Sequence, residues 1–435
     1  MGSLGVQDWV GFGLSLAMVA GIAAFVSMMR ISPLLKTLVY VALGFRVVGA
    51  LARYIVLFGF YDGVGDAVLY YEYGLAFAER FRVLDFSPLY DSSLWLRGNW
   101  SGTAFVPFPS GLILSIIGPS FLGEFVVFSL LSFVGLWGFV MAFKNSSPGV
   151  PPALYSRWVW VFPSLWFWPS SVGKDALILM GIGLATWGLF GPRGRRNWIL
   201  IGSGMLLVMA IRPQVAAVFL LSVILAQWLA SGEGWSMRRV LQGAMIVFVG
   251  VGGIVFGMSI LGVNALDLEE VQGYVDAEVS AAVTSGSAVE EVGFSLTSVP
   301  EAILNILARP FPWEATNVMA FASALEILLF WGLVWYRRRN VWAALRSWRS
   351  HPLLRVAVPF ILIYAATLGM IVYNLGIIAR QRIFLFPFLF LLLEAVPAGR
   401  SSPRTSRTSG PPPRSRPRRN KLVLRPMALS KQVGR

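Results

Sequence analysis

The sequence predicts an all-helical, polytopic membrane protein, and three observations lead to this fold class. Hydrophobic residues make up 56% of the 435 residues and charged residues only 13%, a composition that soluble domains rarely have. Many windows reach the roughly 17–25 apolar residues that a helix needs to cross a bilayer. These runs do not alternate between apolar and polar residues, as the strands of a transmembrane barrel do.

Eleven apolar runs are predicted as membrane spans. They lie at residues 9–29, 37–60, 121–143, 153–169, 173–190, 198–211, 214–230, 240–262, 318–336, 353–373 and 383–397. A further run, 103–118, is short and ends in Gly-Pro-Ser. A crossing here would invert every later span, so we expect either that this run is re-entrant or interfacial, or that one of the other eleven runs is not a span. The prediction is therefore about 11–12 spans.

The distribution of Lys and Arg sets the predicted orientation, because cytoplasmic loops carry an excess of these residues. Basic residues are concentrated in five places, which are 30–36, 191–197, 236–239, 336–340 and the segment after 398. All five fall on one side if the eleven runs are the spans. We therefore expect a multi-pass protein of the plasma (inner) membrane with its N-terminus outside and its C-terminus in the cytoplasm.

The predicted organisation is a membrane domain, 1–398, followed by a basic tail, 399–435. Two long outer loops are expected, at 61–102, where mixed charges and aromatics are typical of interfacial helices, and at 263–317, which is acidic before its Pro-rich end. The tail holds 11 Lys and Arg with no Asp or Glu, and its Pro and Ser content predicts a disordered cytoplasmic segment. We expect it to contact anionic membrane lipids and no nucleic acid.

The residue types that are scarce in this chain exclude several kinds of site. There is no Cys, which excludes disulfides and thiolate metal sites. The single His, His351, excludes a metal site built from several His ligands.

Isolated ionisable residues are concentrated at the predicted outer ends of the spans. They are Asp62, Asp66, Lys174, Asp175, Arg212, Arg309, Glu314, Arg380 and Arg382. Such groups are costly at membrane depth and usually face a bundle interior or a wet cavity. Arg binds phosphate oxygens as a planar fork and Lys binds them as a point charge, so these cations suit a lipid-linked phosphate or diphosphate. The carboxylates among them could act as a general base toward a hydroxyl.

Each of these residues also has a structural interpretation. Lys174 could extend to the lipid head groups, and Asp175 could mark a helix start capped by one of the serines at 170–171. Arg212 precedes a proline and could mark a helix break. Arg380 and its neighbour two residues later could contact outer head groups, and the aspartates of the first outer loop could simply be solvated.

The order of several segments resembles the GT-C superfamily of multi-spanning glycosyltransferases. The segments are "DGVGDAVLYYEYG" in the first outer loop, then "FVPFPSGLILSIIGPS", then "FPSLWFWPSSVGKDALILMGIGLATWG". Members of that superfamily take a sugar from a polyprenyl phosphate or diphosphate on the extracytoplasmic face. The resemblance implies that Asp66, which precedes Tyr70 by four residues, is a catalytic base or helps to hold a metal. It implies that Asp175 is the second acidic residue, and Asp62 is a further candidate.

The resemblance also implies the rest of a substrate site. The segments "IRP", "RPFPWE" and "NLGIIARQR" look like parts of membrane proteins of surface-polysaccharide clusters, and they supply candidate ligands of the carrier phosphate, Arg212, Arg309, Arg380 and Arg382. Tyr70, Lys174 and Glu314 are further candidates for contact with the substrate. Ala67 stands where several such families have a second acidic residue, which leaves open whether a divalent cation takes part.

The predicted function is transfer of a sugar from a polyprenyl carrier to a glycan or a lipid-linked acceptor in cell-surface polysaccharide assembly. A repeat-unit polymerase is a variant of this function. A flippase or transporter of lipid-linked sugars is the alternative, and it would need internal repeats and polar residues through the midplane. The two halves show no convincing repeat, and charges well inside the predicted spans are few, such as Arg46, Arg53 and Glu326.

Overall fold

The computed structural model describes residues 5–98, 100–192, 194–230, 296–372 and 374–396, together with isolated positions between 237 and 273. The chain divides into two units, 1–398 and 399–435. The predicted basic tail lies outside the described residues, as do most of the predicted span 240–262 and of the predicted loop 263–317.

The described residues form α-helices and short 3₁₀ turns and contain no strand, which confirms the predicted all-helical fold. The helices are α1 (Val6–Met28), α2 (Pro33–Gly59), α3 (Asp66–Arg82), α4 (Pro107–Ile117), α5 (Phe121–Ser146), α6 (Pro152–Val161), α7 (Pro163–Phe167), α8 (Lys174–Phe190), α9 (Arg195–Ile211), α10 (Pro213–Ala230), α11 (Val299–Ala308), α12 (Val318–Tyr336), α13 (Arg338–Ser347), α14 (Pro352–Ile371), α15 (Leu375–Gln381) and α16 (Phe386–Glu394).

Six helices in the described ranges, α1, α2, α5, α10, α12 and α14, are long and apolar enough to cross a membrane. A seventh candidate is the pair 375–384 and 386–394, which is bent by 55°. This is the structure of a multi-pass membrane protein, with fewer full-length spans than the 11–12 predicted. Pro163 divides the run 153–169 into two short helices, because proline disfavours a helical conformation in the residue before it.

Two further predicted spans form a short helical hairpin. The helices α8 and α9 have 17 residues each, so each is about 26 Å long, slightly less than the roughly 30 Å hydrocarbon core of a bilayer. The run 103–118 forms a 3₁₀ turn and the 11-residue helix α4. This helix is too short to cross, and it packs against α3 where Gly74 faces Ser110.

Close packing between glycines holds α8 between α5 and α9. A Cβ atom on Gly183 would overlap the backbone of Gly135 in α5, and one on Gly181 would overlap the carbonyl oxygen of Gly204 in α9. Small residues allow such close approach between helices in a membrane, where association depends on van der Waals packing. The result is a buried α8 whose first residues, Lys174 and Asp175, are fixed at one end of the bundle.

The two ends of the bundle differ in their residues. One end, where α1 and α5 begin, carries predicted site residues such as Asp66 and Lys174, and we call it the site end. There Ser120 Oγ donates to the carbonyl oxygen of Asp8 over 2.7 Å. At the basic end, where α5 finishes and α14 begins, Ser147 Oγ lies 3.1 Å from His351 Nε2. There the carboxylate of Glu394 also accepts hydrogen bonds from arginines of α6 and of the turn after α12. The assignment of the basic end to the cytoplasm stays a prediction.

Cysteine labelling tests the separation of the two ends, since the native chain has no Cys. Asp62 is exposed at the site end and Ser350 is exposed at the basic end. We expect a membrane-impermeant maleimide to label the Asp62→Cys variant in intact cells and the Ser350→Cys variant only after permeabilisation. Labelling of both variants from the same side would contradict the arrangement.

The glycine contact between α5 and α8 predicts a position-specific loss of stability. Gly183→Val places a side chain against the backbone of α5, whereas Gly202→Val on α9 meets no atom within 4 Å. Both changes have the same intrinsic effect on helix propensity, so the difference measures packing. We expect Gly183→Val to cost about 1–3 kcal/mol more, read as a lower midpoint of thermal unfolding in detergent. Equal midpoints for the two variants would refute the close contact.

Candidate functional site

Ionisable side chains from α2, α3, α8 and α15 meet at the site end. This charged cluster consists of Arg53, Asp66, Tyr70, Lys174, Asp175 and Arg380. Five of the six were predicted as site residues, and they come from segments as far apart in sequence as α3 and α15. The predicted gathering of these residues on one face is therefore present in the structure.

An ion pair between a buried carboxylate and a half-buried guanidinium lies at the centre of the charged cluster. Asp175 is 2% exposed, and its Oδ2 accepts a hydrogen bond from Nε of Arg380. The other carboxylate oxygen, Oδ1, is buried and makes no hydrogen bond. Asp175 therefore orients Arg380 and keeps one acceptor for a further donor.

The start of α8 differs from the predicted serine cap. Gly173 occupies the N-cap position and makes no side-chain cap bond. Ser170 instead lies 2.6 Å from Ser129 of α5, oxygen to oxygen, and Ser171 accepts from Arg53 over 3.4 Å. The carboxylate of Asp175 in the first turn is the group that complements the helix dipole.

Lys174 faces the cluster, contrary to the alternative that it extends to the lipid head groups. Its Nζ donates to Thr103 Oγ1 over 3.1 Å. It is also within electrostatic range of Asp66, Arg212 and Arg380. The turn before α4 therefore fixes the position of this cation.

Arg53 is a member of the cluster that the sequence left without a role. Its guanidinium carbon lies 5.3 Å from the ring centroid of Phe167 and 5.2 Å from that of Trp168. Such stacking holds a cation in place without neutralising it. Arg380 and Asp175 lie within electrostatic range of Arg53, so two guanidinium groups face the same space.

Asp66 is exposed at the first residue of α3 and lines a cavity of about 220 Å³ together with Arg53 and Arg380. We call this space the charged cavity. Tyr70, one turn later on the same helix face, is buried, and burial raises its pKa, with a further contribution from the charge of Asp66. The hydroxyl of Tyr70 lies near Thr103 without a hydrogen bond of good geometry.

Two other predicted residues lie around the cluster. Asp62 is exposed in the turn before α3, with a left-handed φ of 49°, and does not line the charged cavity. Arg212 ends α9, so the helix break is present, and it also contacts Tyr364 and faces Lys174. Tyr364 in turn donates to Gln381 over 3.2 Å, next to the cluster.

Three predicted substrate ligands, Arg382, Arg309 and Glu314, have partners within the protein, and their contact with a substrate stays a prediction. The guanidinium of Arg382 is 2% exposed and donates to the carbonyl oxygens of Ile306, over 2.7 Å, and of Arg309. It therefore caps the C-terminal end of α11, where carbonyl groups lack helical partners. Arg309 and Glu314 form an ion pair, and Glu314 also accepts from the backbone N–H of Phe311. Their charges are satisfied within this turn.

Two further spaces adjoin the charged cavity. A neutral cavity of about 180 Å³ is lined by Tyr61, Trp168, Pro310, Thr316, Asn317, Met319, Ala320, Ser323, Asn374, Leu375, Gly376 and Ala379. An apolar groove of about 430 Å³ lies between α7 and α12, with Glu326 along one side. The two cavities share Tyr61, and Trp168 lines all three spaces. The charged cavity, the neutral cavity and the apolar groove are therefore neighbours around Trp168.

The carboxylates of the cluster do not form a metal site by themselves. No group of three or more His, Asp or Glu residues in the described ranges is arranged to hold a metal ion. Asp175 is already paired with Arg380, which leaves Asp66 as the carboxylate that is open to the cavity. A divalent cation would need oxygen ligands from its substrate as well.

The chain matches no known protein family, no curated protein and no solved structure. The function assigned to it therefore depends on the geometry of the charged cluster and on the adjoining spaces.

The ion pair predicts that substitutions at Asp175 and at Arg380 have non-additive effects on the free energy of unfolding. Removal of one partner leaves the other charge uncompensated, at a cost of about 3–5 kcal/mol, and removal of both recovers much of it. We expect Arg380→Gln and Asp175→Asn each to lower the unfolding midpoint in detergent, and the double variant to lie above Arg380→Gln. The exposed pair Arg80–Asp85, 3.1 Å apart, is the matched control and should show coupling below about 1 kcal/mol. Additive effects at Asp175 and Arg380 would contradict the pairing.

Proposed function

We propose that this protein is an integral membrane glycosyltransferase that uses a polyprenyl phosphate- or diphosphate-linked sugar. The observation that carries the proposal is that the charged cavity and the apolar groove lie side by side, with Trp168 lining both. A lipid-linked phosphate needs cations for its head group and an apolar surface for its tail, side by side. Under this proposal the site end faces the outside of the plasma membrane, where the acceptor is a glycan or a lipid-linked saccharide.

The carrier phosphate binds between Arg53 and Arg380 in the proposed site, with Lys174 beside them. The Nε–H of Arg380 donates a hydrogen bond to Asp175, so the two terminal nitrogens of this guanidinium are left to face the ligand. One of them, Nη2, lies 3.7 Å from the position of a Cβ atom at Gly173, so the backbone leaves room at this point. Preorganised cations stabilise the charge that develops on the leaving phosphate.

Asp66 is the general base of the proposed reaction. Its carboxylate takes the proton of an acceptor hydroxyl, whose oxygen forms the new bond to the anomeric carbon of the sugar. The bond from that carbon to the phosphate oxygen breaks, and the phosphate leaves with the electron pair. Tyr70 lies one turn away, but it is buried and does not line the charged cavity, so it packs behind Asp66 in the proposed site.

The neutral cavity and the apolar groove supply the other two subsites. The neutral cavity presents Asn, Thr and Ser groups beside two aromatic rings, which suits a sugar with many hydroxyls and no charge. The groove between α7 and α12 presents apolar side chains and takes the isoprenoid tail. A repeat-unit polymerase would place a second lipid-linked saccharide in the neutral cavity.

The intramembrane charges favour transfer over transport. Arg46 is buried and donates to Ser132 Oγ over 3.0 Å and to the carbonyl oxygen of Leu165 over 2.8 Å. Glu326 accepts from the backbone N–H of Ser164 over 2.6 Å. Both groups hold helices together and do not extend the polar path from the site end toward the basic end.

The proposed base predicts a loss of product with Asp66→Asn, because a general base contributes on the order of 10²–10⁴ in rate. In a deletion strain complemented with each variant, we expect Asp66→Asn to lose cell-surface polysaccharide and Asp62→Asn to retain it. Both proteins should appear in the membrane at wild-type amounts. Normal polysaccharide with Asp66→Asn would refute the catalytic assignment.

The same strains separate transfer from transport. Loss of a transferase leaves the lipid-linked sugar on the outer leaflet, where an impermeant oxidant reaches it. Loss of a flippase leaves it on the cytoplasmic leaflet, protected from the oxidant. Protected precursor in the deletion strain would overturn the proposed function in favour of a flippase.

A further inference from the structure

A short amphipathic helix at the basic end has a feature that the proposed reaction does not use. This helix, α13, lies between the end of α12 at Tyr336 and the start of α14 at Pro352. Both flanking helices are candidate membrane spans, so α13 lies at the level where the apolar spans stop. No Asp or Glu occurs between residues 336 and 351.

One face of α13 is fixed to the rest of the bundle. Ala344 is buried, and Asn340 Nδ2 donates to the carbonyl oxygen of Leu393 over 3.0 Å. Just before the helix, Arg337 forms an ion pair of 3.2 Å with Glu394. These contacts to the end of α16 hold α13 in a fixed position at the basic end.

The opposite face carries exposed tryptophans and arginines. Arg338, Trp342 and Arg346 recur four positions apart on α13. Together with Trp335 at the end of α12 and Arg349 just after α13, they form what we call the Arg–Trp face. Trp335 is 72% exposed and Trp342 is 58% exposed. The guanidinium carbon of Arg338 lies 4.9 Å from the ring centroid of Trp335, and that of Arg346 lies 5.0 Å from that of Trp342.

We propose that the Arg–Trp face binds the head groups of anionic phospholipids in the leaflet at the basic end. An indole is stable at the boundary between hydrocarbon and head groups, which accounts for the two largely exposed tryptophans, one at the end of α12 and one on α13. The guanidinium beside each indole, of Arg338 or Arg346, is a planar fork that matches the oxygens of a phosphodiester. An acidic protein surface would satisfy the arginines, but it would not account for indoles at the level of the membrane surface.

The inference is independent of the proposed sugar transfer, and lipid binding tests it. The probes are phosphatidylglycerol and phosphatidylcholine, added to the full-length protein in a neutral detergent and counted as bound molecules by native mass spectrometry. The test variant is Arg338→Gln/Arg346→Gln. The control, Arg30→Gln/Lys144→Gln, removes two exposed cations from the same end without touching α13, so the basic tail and the net charge are the same in both.

We expect the test variant to bind phosphatidylglycerol about tenfold more weakly than the native protein, since each arginine near an anionic surface adds to the attraction. The control should stay within about threefold, phosphatidylcholine should be unaffected, and both variants should unfold at the native temperature without lipid. Equal losses in the two variants would show an effect of net charge alone and would overturn the proposal. A polyglutamate peptide, added as a third probe, stands for an acidic protein surface. The proposal would also be overturned if the test variant bound phosphatidylglycerol as the native protein does, whether or not it lost binding to this peptide.

Discussion

The ion pair between the buried Asp175 and Arg380 is the interaction on which the candidate site depends. The two residues lie 205 positions apart in the sequence, and their contact joins the start of α8 to α15. A carboxylate that is removed from water needs a cation with good geometry, so the pair fixes both elements where Arg53 and Lys174 also converge. The pair depends in turn on the glycine contacts that bury α8, because only a tightly packed α8 holds Asp175 away from solvent.

The parts of the structure that follow from local composition could be read from the sequence. An excess of apolar residues without alternation leads to helices, and the parity of the spans gathers Asp66, Lys174, Asp175 and Arg380 at one end. Fewer full-length spans occur in the described residues than the sequence predicts, and one reason is that Pro163 breaks the apolar run 153–169. Apolar content alone does not separate a continuous span from two short helices that pack inside a bundle.

The roles of the arginines show why the rest of the site could not be predicted. Arg380 and Arg382 look alike in the sequence, two residues apart in a polar outer turn, but one pairs with Asp175 and the other caps α11. The difference arises because α11 ends beside residue 382 with carbonyl groups that need donors, a long-range fact with no sequence signal. For Arg53 the sequence predicts no role, but the structure places it in the cluster. The rings of Phe167 and Trp168 stack on its guanidinium and hold it there.

The short α8–α9 hairpin has a consequence for the surrounding bilayer. The outer surface of α9 carries exposed apolar residues such as Trp198, Ile199 and Leu206, so lipid chains contact a helix that is a few ångströms shorter than their usual thickness. Lipids adapt to such a mismatch by thinning, at a modest cost per ångström. Under the proposed function, thinning of the membrane beside the charged cluster would bring the acceptor and the phosphate of an embedded carrier to the same depth.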